Sequence, residues 1–347
     1  MNRTSDYTRH LKTAATGACA AGLAFAWASA GAGSHHQHSE HAHHQMTEAQ
    51  FTELRQKVPL YREYSDEEIM ANMSRMGPNF QVYLSDTTLV GNVGVLALGH
   101  GYEPSGNETF KDAYRPTAGR HPTAVAFGMA MMTSDHIQAA VDELTDAGAD
   151  TLLIMPITTL EVGGLINQWR YIFGLRDEAP WMSVPRVQTD ARIVFGPTPT
   201  TDPLISAILL DYAIQMSREP GEEVVALIAH GPDNDKLNAR ELANLEQHAG
   251  VIREGRDFAD VRGFTLQDDA PKAVRDANIR KIRDWVQAAD RANQRVIVLT
   301  TLPVKGSVHK KIRRDLEGLT YDLNEKGVVE HPLFSDWVNT VIASATE

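Results

Sequence analysis

Val95-Leu96-Ala97-Leu98-Gly99-His100-Gly101 and Val225-Ala226-Leu227-Ile228-Ala229-His230-Gly231 are nearly one phrase written twice, each an apolar run ending in His-Gly before a polar segment. A continuous apolar run of this length is the mark of a parallel strand buried on both faces. In open α/β sheets, ligands gather beyond the carboxyl ends of such strands. His100 and His230 therefore stand where a catalytic or metal-binding group would stand.

The chain of 347 residues is 42% hydrophobic and 22% charged, enough for one large or two medium cores. Its net charge of −12 argues against a nucleic-acid partner held by a general basic field, so an anionic ligand must be held by a local cluster. At the N-terminus, Arg3, Arg9 and Lys12 precede an apolar stretch from Ala14 to Trp27 and the small-x-small run Ala28-Ser29-Ala30. This pattern predicts a cleavable signal peptide over 1–30 and a periplasmic or secreted protein, with no membrane span once the leader is gone. Cleavage would also remove Cys19, the one cysteine, and with it all thiolate chemistry. Residues 31–46 come next, carrying six histidines between His35 and His44 and no large apolar residue until Met46. Such a tract reads as a disordered collector of divalent metal ions. Residues 47–89 read as a helical extension, opened by a capping box at Thr47-Glu48-Ala49-Gln50 and a second start at Ser65-Asp66-Glu67-Glu68.

From residue 90 onward strands and helices alternate. Strands are expected at 93–99, 123–129, 151–156, 191–196, 224–229, 259–265 and 294–300, with helices between and after them. This specifies an α/β protein with mostly parallel sheets. The recurrence of His-Gly predicts two similar lobes, 90–204 and 205–347, the second carrying the metal site. No Gly-x-Gly-x-x-Gly or phosphate loop comes after a strand, which counts against a nucleotide cofactor. A homo-oligomer stays open.

The second lobe carries the denser chemistry. The strand at 294–300 runs into Lys305-Gly306-Ser307-Val308-His309-Lys310-Lys311-Ile312-Arg313-Arg314-Asp315. Lys310, Arg313 and Arg314 share a helix face at i, i+3 and i+4. An acidic chain has placed five cations around one histidine, an arrangement suited to a multiply carboxylated ligand beside His309.

The strand with its His-Gly turn, joined some eighty residues later by Lys-Gly-Ser-Val-His-Lys-Lys-Ile-Arg-Arg-Asp, resembles the class II tetrapyrrole chelatases, particularly the sirohydrochlorin cobaltochelatases. Arg192-Ile193-Val194-Phe195-Gly196-Pro197 and the segment from Val328 to Trp337 are similar to further family stretches, so the resemblance covers about 90–347. It implies a chelatase-like fold and insertion of a divalent metal, Co2+ foremost and Fe2+ or Ni2+ as alternatives, into sirohydrochlorin or a related carboxylated tetrapyrrole on the way to cobalamin. It implies His230 and His309 as catalytic metal ligands with Asp268, rather than Asp269, as an acidic third. Lys305, Lys310, Arg313, Arg314 and His100 then line the substrate site. The first lobe departs from the pattern, since Ile157 to Gly164 contains no histidine.

The residue chemistry supports this independently. Neutral imidazoles both ligate transition metals and accept protons, and a nitrogen and oxygen donor set suits Co2+, Ni2+, Fe2+ or Zn2+. Activity is expected to fall as pH drops through about 6.5, where free imidazoles protonate. The main alternative is an exported metal- or tetrapyrrole-binding protein that performs no insertion. A serine hydrolase is disfavoured by the lack of Gly-x-Ser-x-Gly.

Overall fold

A strand that is apolar on both faces requires cover on both faces. In the computed structural model, which describes residues 46–58, 61–74 and 77–346, strand β2 (Val93–Gly99) has that cover. Val95 and Ala97 pack into one core while Leu96 and Leu98 pack into another. Strand β6 (Glu223–Ala229) repeats the arrangement, with Val225 and Leu227 in the first of these cores and Val224, Ala226 and Ile228 in a third. The leader over 1–30 and the histidine tract up to His44 lie outside the described residues.

The first sheet has the order β1-β3-β2-β4-β5, built from β1 (Phe80–Tyr83), β3 (Thr123–Phe127), β4 (Thr151–Pro156) and β5 (Arg192–Phe195) around β2. All pairs are parallel except β1 with β3, which is antiparallel. The second sheet, β7-β6-β8-β9, is entirely parallel and adds β7 (Asp260–Thr265), β8 (Arg295–Thr300) and β9 (Asp322–Leu323). In both sheets the chain passes to one side of the His-Gly strand and then to the other. That reversal opens a crevice at the carboxyl ends of β2 and β6.

The strands expected from sequence fall within a residue or two of those observed, and the α/β architecture with mostly parallel sheets holds. One expectation is corrected. The segment 47–89 is not purely helical. After α1 (Glu48–Lys57), whose Thr47–Gln50 capping box is formed, and α2 (Asp66–Ser74), the chain adds β1 to the sheet edge. The two sheets, one on either side of residue 204, share their packing. Ile205, Ile208 and Leu209 of α6 (Pro203–Met216) share a core with Phe110 and Tyr114 of α3 (Pro104–Ala118) and with Phe334, Trp337 and Val341 of α10 (Pro332–Thr346). The terminal helix also bonds the first sheet's side directly, through Arg120 to Asn339 at 2.6 Å and Arg192 to the Ala345 carbonyl at 3.3 Å. No helix among the described residues is long and apolar enough to cross a membrane.

The remaining helices flank the sheets: α4 (Asp135–Asp146) and α5 (Gly164–Ile172) on the first, α7 (Asp235–Gly255), α8 (Lys272–Arg291) and α9 (Ser307–Asp315) on the second. Each His-Gly turn uses a left-handed glycine, Gly101 at φ +90° and Gly231 at φ +73°. At Gly231 a Cβ would lie 2.8 Å from Thr265 Cβ and 2.9 Å from the Gln267 backbone nitrogen. Gly231→Ala should therefore cost about 2–4 kcal/mol from combined backbone strain and overpacking. Gly250→Ala on α7, where nothing lies within 4 Å of the added carbon, should gain about 0.5–1 kcal/mol. Urea denaturation of both variants checks the contrast; equal effects would deny the turn its conformational demand.

Candidate metal-binding crevice

His230 leaves the end of β6 with its Nδ1 2.8 Å from the Gly231 carbonyl oxygen. Only a protonated Nδ1 makes that bond, so in the neutral ring Nε2 keeps a free lone pair. A histidine whose second nitrogen donates to a carbonyl has the tautomer and orientation that metal ligation uses. Nε2 faces two carboxylates, Asp268 Oδ2 and Asp269 Oδ2, each at 3.7 Å.

The position of those carboxylates is set by one strained residue. Gln267 has φ +48°, an uncommon conformation for a side chain of its size. It is held there by two buried amides, Asn238 Nδ2 at 3.1 Å and Asn278 Nδ2 at 2.9 Å, both donating to its Oε1. Asn238 lies on α7 and Asn278 on α8, so two helices of the second sheet fix the loop that presents Asp268 and Asp269.

The two carboxylates then diverge in character. The Asp268 side chain is only 2% exposed, accepts from Arg275 Nε at 2.7 Å and pairs with Lys311. Burial works against its charge, but the Lys311 and Arg275 hydrogen bonds outweigh it and hold the carboxyl below its ordinary range. Arg275 also reaches Asp315 at 2.6 Å, closing a network between α8 and α9. Asp269 is largely exposed and has no such cations.

His100 is the counterpart of His230 at the end of β2. Its ring leans on Tyr102, with centroids 4.4 Å apart. The side chain is exposed at the rim of the crevice. Nearby protein atoms and repulsion from His230 push its pKa down, while Asp269 acts in the opposite sense. His100, His230 and Asp269 thus sense one another across the crevice. On sequence grounds His100 is a wall residue without a companion; its companion is His230, supplied by the other sheet.

His309 is placed differently from its expected role. It is 1% exposed, Nε2 lies 3.2 Å from Thr300 Oγ1, and its Nδ1 accepts from the Gly306 N–H at 3.3 Å. Nδ1 caps the first turn of α9 and Nε2 ties it to the end of β8. Burial pushes its pKa down to about 4, with Glu325 opposing and Lys305 and Arg313 reinforcing the shift. Among the described residues no three His, Cys, Asp or Glu side chains converge to hold a metal ion, so the set His230, Asp268 and His309 is not assembled here. The physical reason is that Asp268 is spent on Arg275 and Lys311, and His309 on its own helix turn.

The basic helix face is likewise already engaged. Lys305 and Arg313 both pair with Glu325, Arg314 pairs with Asp315, and Lys310 Nζ bridges Glu103 Oε1 and Oε2 at 2.7 and 2.8 Å. The two cations hold Glu325 near pKa 2. The Lys310–Glu103 pair joins α9 to the start of α3 beside His100. Gly106 permits this approach, since a Cβ there would meet Tyr102 Cβ at 2.9 Å and Val304 Cγ2 at 3.1 Å.

No protein-family model and no curated protein sequence matches the chain. Among solved structures it is similar to SirB from Bacillus subtilis with Fe3+, at 14% identity and TM-score 0.54 over 74% of this chain and 96% of that one. Looser likenesses are CbiX, described as the terminal enzyme for siroheme biosynthesis in denitrifying bacteria (17% identity, TM-score 0.46, 74% and 99% covered), and DR2241 from Deinococcus radiodurans (15%, 0.47, 74% and 56%). The second of these is described as multi-domain with structural similarity to chelatases. The chain has a chelatase-like α/β fold.

Asp268→Asn should cost about 3 kcal/mol at pH 7, because Lys311 and Arg275 lose a buried partner. A carboxyl held below its ordinary pKa contributes stability above about pH 4 and loses it as pH falls through the folded value. The gap between wild type and Asp268→Asn should therefore close below about pH 4 in urea titrations; a gap that persists there would point to packing instead of charge.

Proposed function

We propose that the protein is a metal chelatase whose divalent metal substrate is bound by the pair His100 and His230 for insertion into a carboxylated tetrapyrrole in the crevice, with Asp269 beside His230 as a proton acceptor. The observation that carries the reading is the pair of His-Gly turns at equivalent strand ends of the two sheets, with the Nε2 lone pair of His230 free. Two imidazoles leave the other coordination positions to water, so the ion is bound without being sealed in and can be passed on. The donor set suits Co2+, with Fe2+ and Ni2+ as alternatives.

Insertion converts a tetrapyrrole bearing two N–H groups and M2+ into the metallated ring and two protons. The Asp269 carboxylate and an imidazole freed of metal are positioned to accept protons, and the solvated crevice carries them away. Sirohydrochlorin is the substrate we favour, its carboxylates competing with Glu103 and Glu325 for Lys310, Lys305 and Arg313. Exposed pairs of this kind are worth only about 0–1 kcal/mol, so such exchange is inexpensive.

A second reading, a metal- or tetrapyrrole-binding protein without insertion activity, is favoured by the self-pairing of those same cations. The leader-like N-terminus supports export under either reading.

The test is incubation of the protein with sirohydrochlorin and Co2+, Fe2+ or Ni2+ while following the visible spectrum. A metal-dependent spectral shift is expected, and His230→Ala and His100→Ala should each weaken Co2+ binding about tenfold or more, since losing a ligand costs at least as much as losing its hydrogen-bond partner. His309→Ala should leave Co2+ affinity unchanged and lower the thermal midpoint. Turnover that survives removal of both turn histidines would overturn the site, and tight binding with no spectral change would select the second reading.

Because nearby protein atoms and His230 push the His100 pKa below its ordinary value, its contribution to metal binding should persist below the 6.5 expected of a free imidazole. Co2+ titrations of wild type and His100→Ala between pH 5 and 7, pH values near the ordinary imidazole range, should show a constant ratio of affinities. A ratio that collapses on going from pH 7 to pH 5 would mean that His100 titrates normally.

A further inference from the structure

Away from the turn histidines, a small cavity of about 20 Å3, room for one water-sized occupant, lies where the loop after β4 meets α7. Its polar lining includes Thr158 and Thr159 from the first sheet's side and Thr200, Glu241, His248 and Thr301. Glu241 is 2% exposed, and one of its oxygens, Oε2, has no partner. Thr301 is also buried, with its Oγ1 unpartnered. Two buried oxygens without partners on one cavity call for an occupant, because such groups are otherwise costly.

The lining narrows the chemistry of that occupant. No lysine or arginine lines the cavity. His248 offers no free nitrogen, since Nδ1 meets Ser206 Oγ at 2.8 Å and Nε2 meets the Thr200 carbonyl at 2.9 Å. What remains is the threonine oxygens, the Asn244 amide beside Glu241 and one ionisable carboxyl, an oxygen-rich set that suits a hard cation and disfavours a soft transition metal. A single carboxylate balances a single positive charge; a divalent ion would leave one buried charge uncompensated.

We propose that this cavity is a binding site for one monovalent alkali cation, held by the Glu241 carboxylate and the Thr301 hydroxyl. The ion would tie α7 and the loop after β8 to Thr158 and Thr159, and so join the two sheets at the end of the crevice. Burial pushes the Glu241 carboxyl up to about 8, with an Asn244 hydrogen bond opposing. At neutral pH the cation must therefore displace a proton, whereas a water molecule satisfying the same oxygens would not. The cation site does not depend on the chelatase reading.

The experiment compares thermal midpoints of the full chain in KCl, NaCl and tetramethylammonium chloride at equal ionic strength. A saturable rise is expected with potassium or sodium and none with tetramethylammonium, which is too large to enter. Glu241→Gln should remove the rise and Thr301→Val should shrink it. In weakly buffered solution near neutral pH, adding KCl should release about one proton per chain, and the half-saturating concentration should fall about tenfold per pH unit until pH approaches 8. Proton release needs no variant, so it decides the matter even if Glu241→Gln fails to fold. Identical midpoints in the three salts, an undiminished rise in Glu241→Gln, or a rise with MgCl2 alone would each overturn the proposal.

Discussion

Burial of β2 and β6 on both faces is the constraint on which the rest of the molecule depends. With both faces of each strand committed to cores, chemistry is confined to the strand ends, and the carboxyl ends are where the chain reverses. The left-handed glycines after His100 and His230 make that reversal sharp enough to leave the imidazole at the rim. The shared core through α3, α6, α7 and α10 then fixes the two rims relative to each other. Two histidines 130 positions apart in sequence are neighbours because two sheets share one hydrophobic interior.

Electrostatics in the crevice works by local pairing. The chain is acidic overall, yet each cation in and just before α9 has a carboxylate partner: Lys310 with Glu103 on the first sheet's side, Lys305 and Arg313 with Glu325, Lys311 with Asp268 after β7, and Arg314 with Asp315 on the same helix. The buried Asp268 pairs differ in kind from the exposed ones. Those with Arg275 and Lys311 shape the loop beside His230, whereas Lys310–Glu103 and Arg313–Glu325 sit in water, where their strength is small and salt-dependent.

Much of this is legible in sequence, and the failures have identifiable causes. Buried parallel strands announce themselves as apolar runs, so the interior strands can be placed. The four-residue β1 and two-residue β9 are too short to show a period, and β1 is half-buried throughout. His100 and His230 are legible as a repeat, but their proximity is not, because it depends on how one sheet packs on another. His309 misleads for a different reason. A histidine beside five cations looks like a ligand until its partners are known, and the Thr300 hydroxyl and Gly306 N–H that take up its nitrogens leave no mark in the sequence. The paired state of the basic helix is hidden too, since Glu103 lies 207 residues from Lys310. Asp269, ranked below Asp268, is the more available carboxylate. Ranking them requires knowing that Arg275, one helix away, claims the other.

The duplication also explains why the two halves are not interchangeable. Both retain the strand and the His-Gly turn with its left-handed glycine, which are the parts demanded by a central strand that must end sharply. They differ in the segment beyond the next strand. The first half continues from β3 into Gly128-Met129-Ala130, with no ionisable group in that tripeptide, whereas the second continues from β7 into Leu266-Gln267-Asp268-Asp269. A metal ion between the turns would therefore meet neutral nitrogen from both sides and negative charge from one. Such a one-sided field would draw a cation toward the second half.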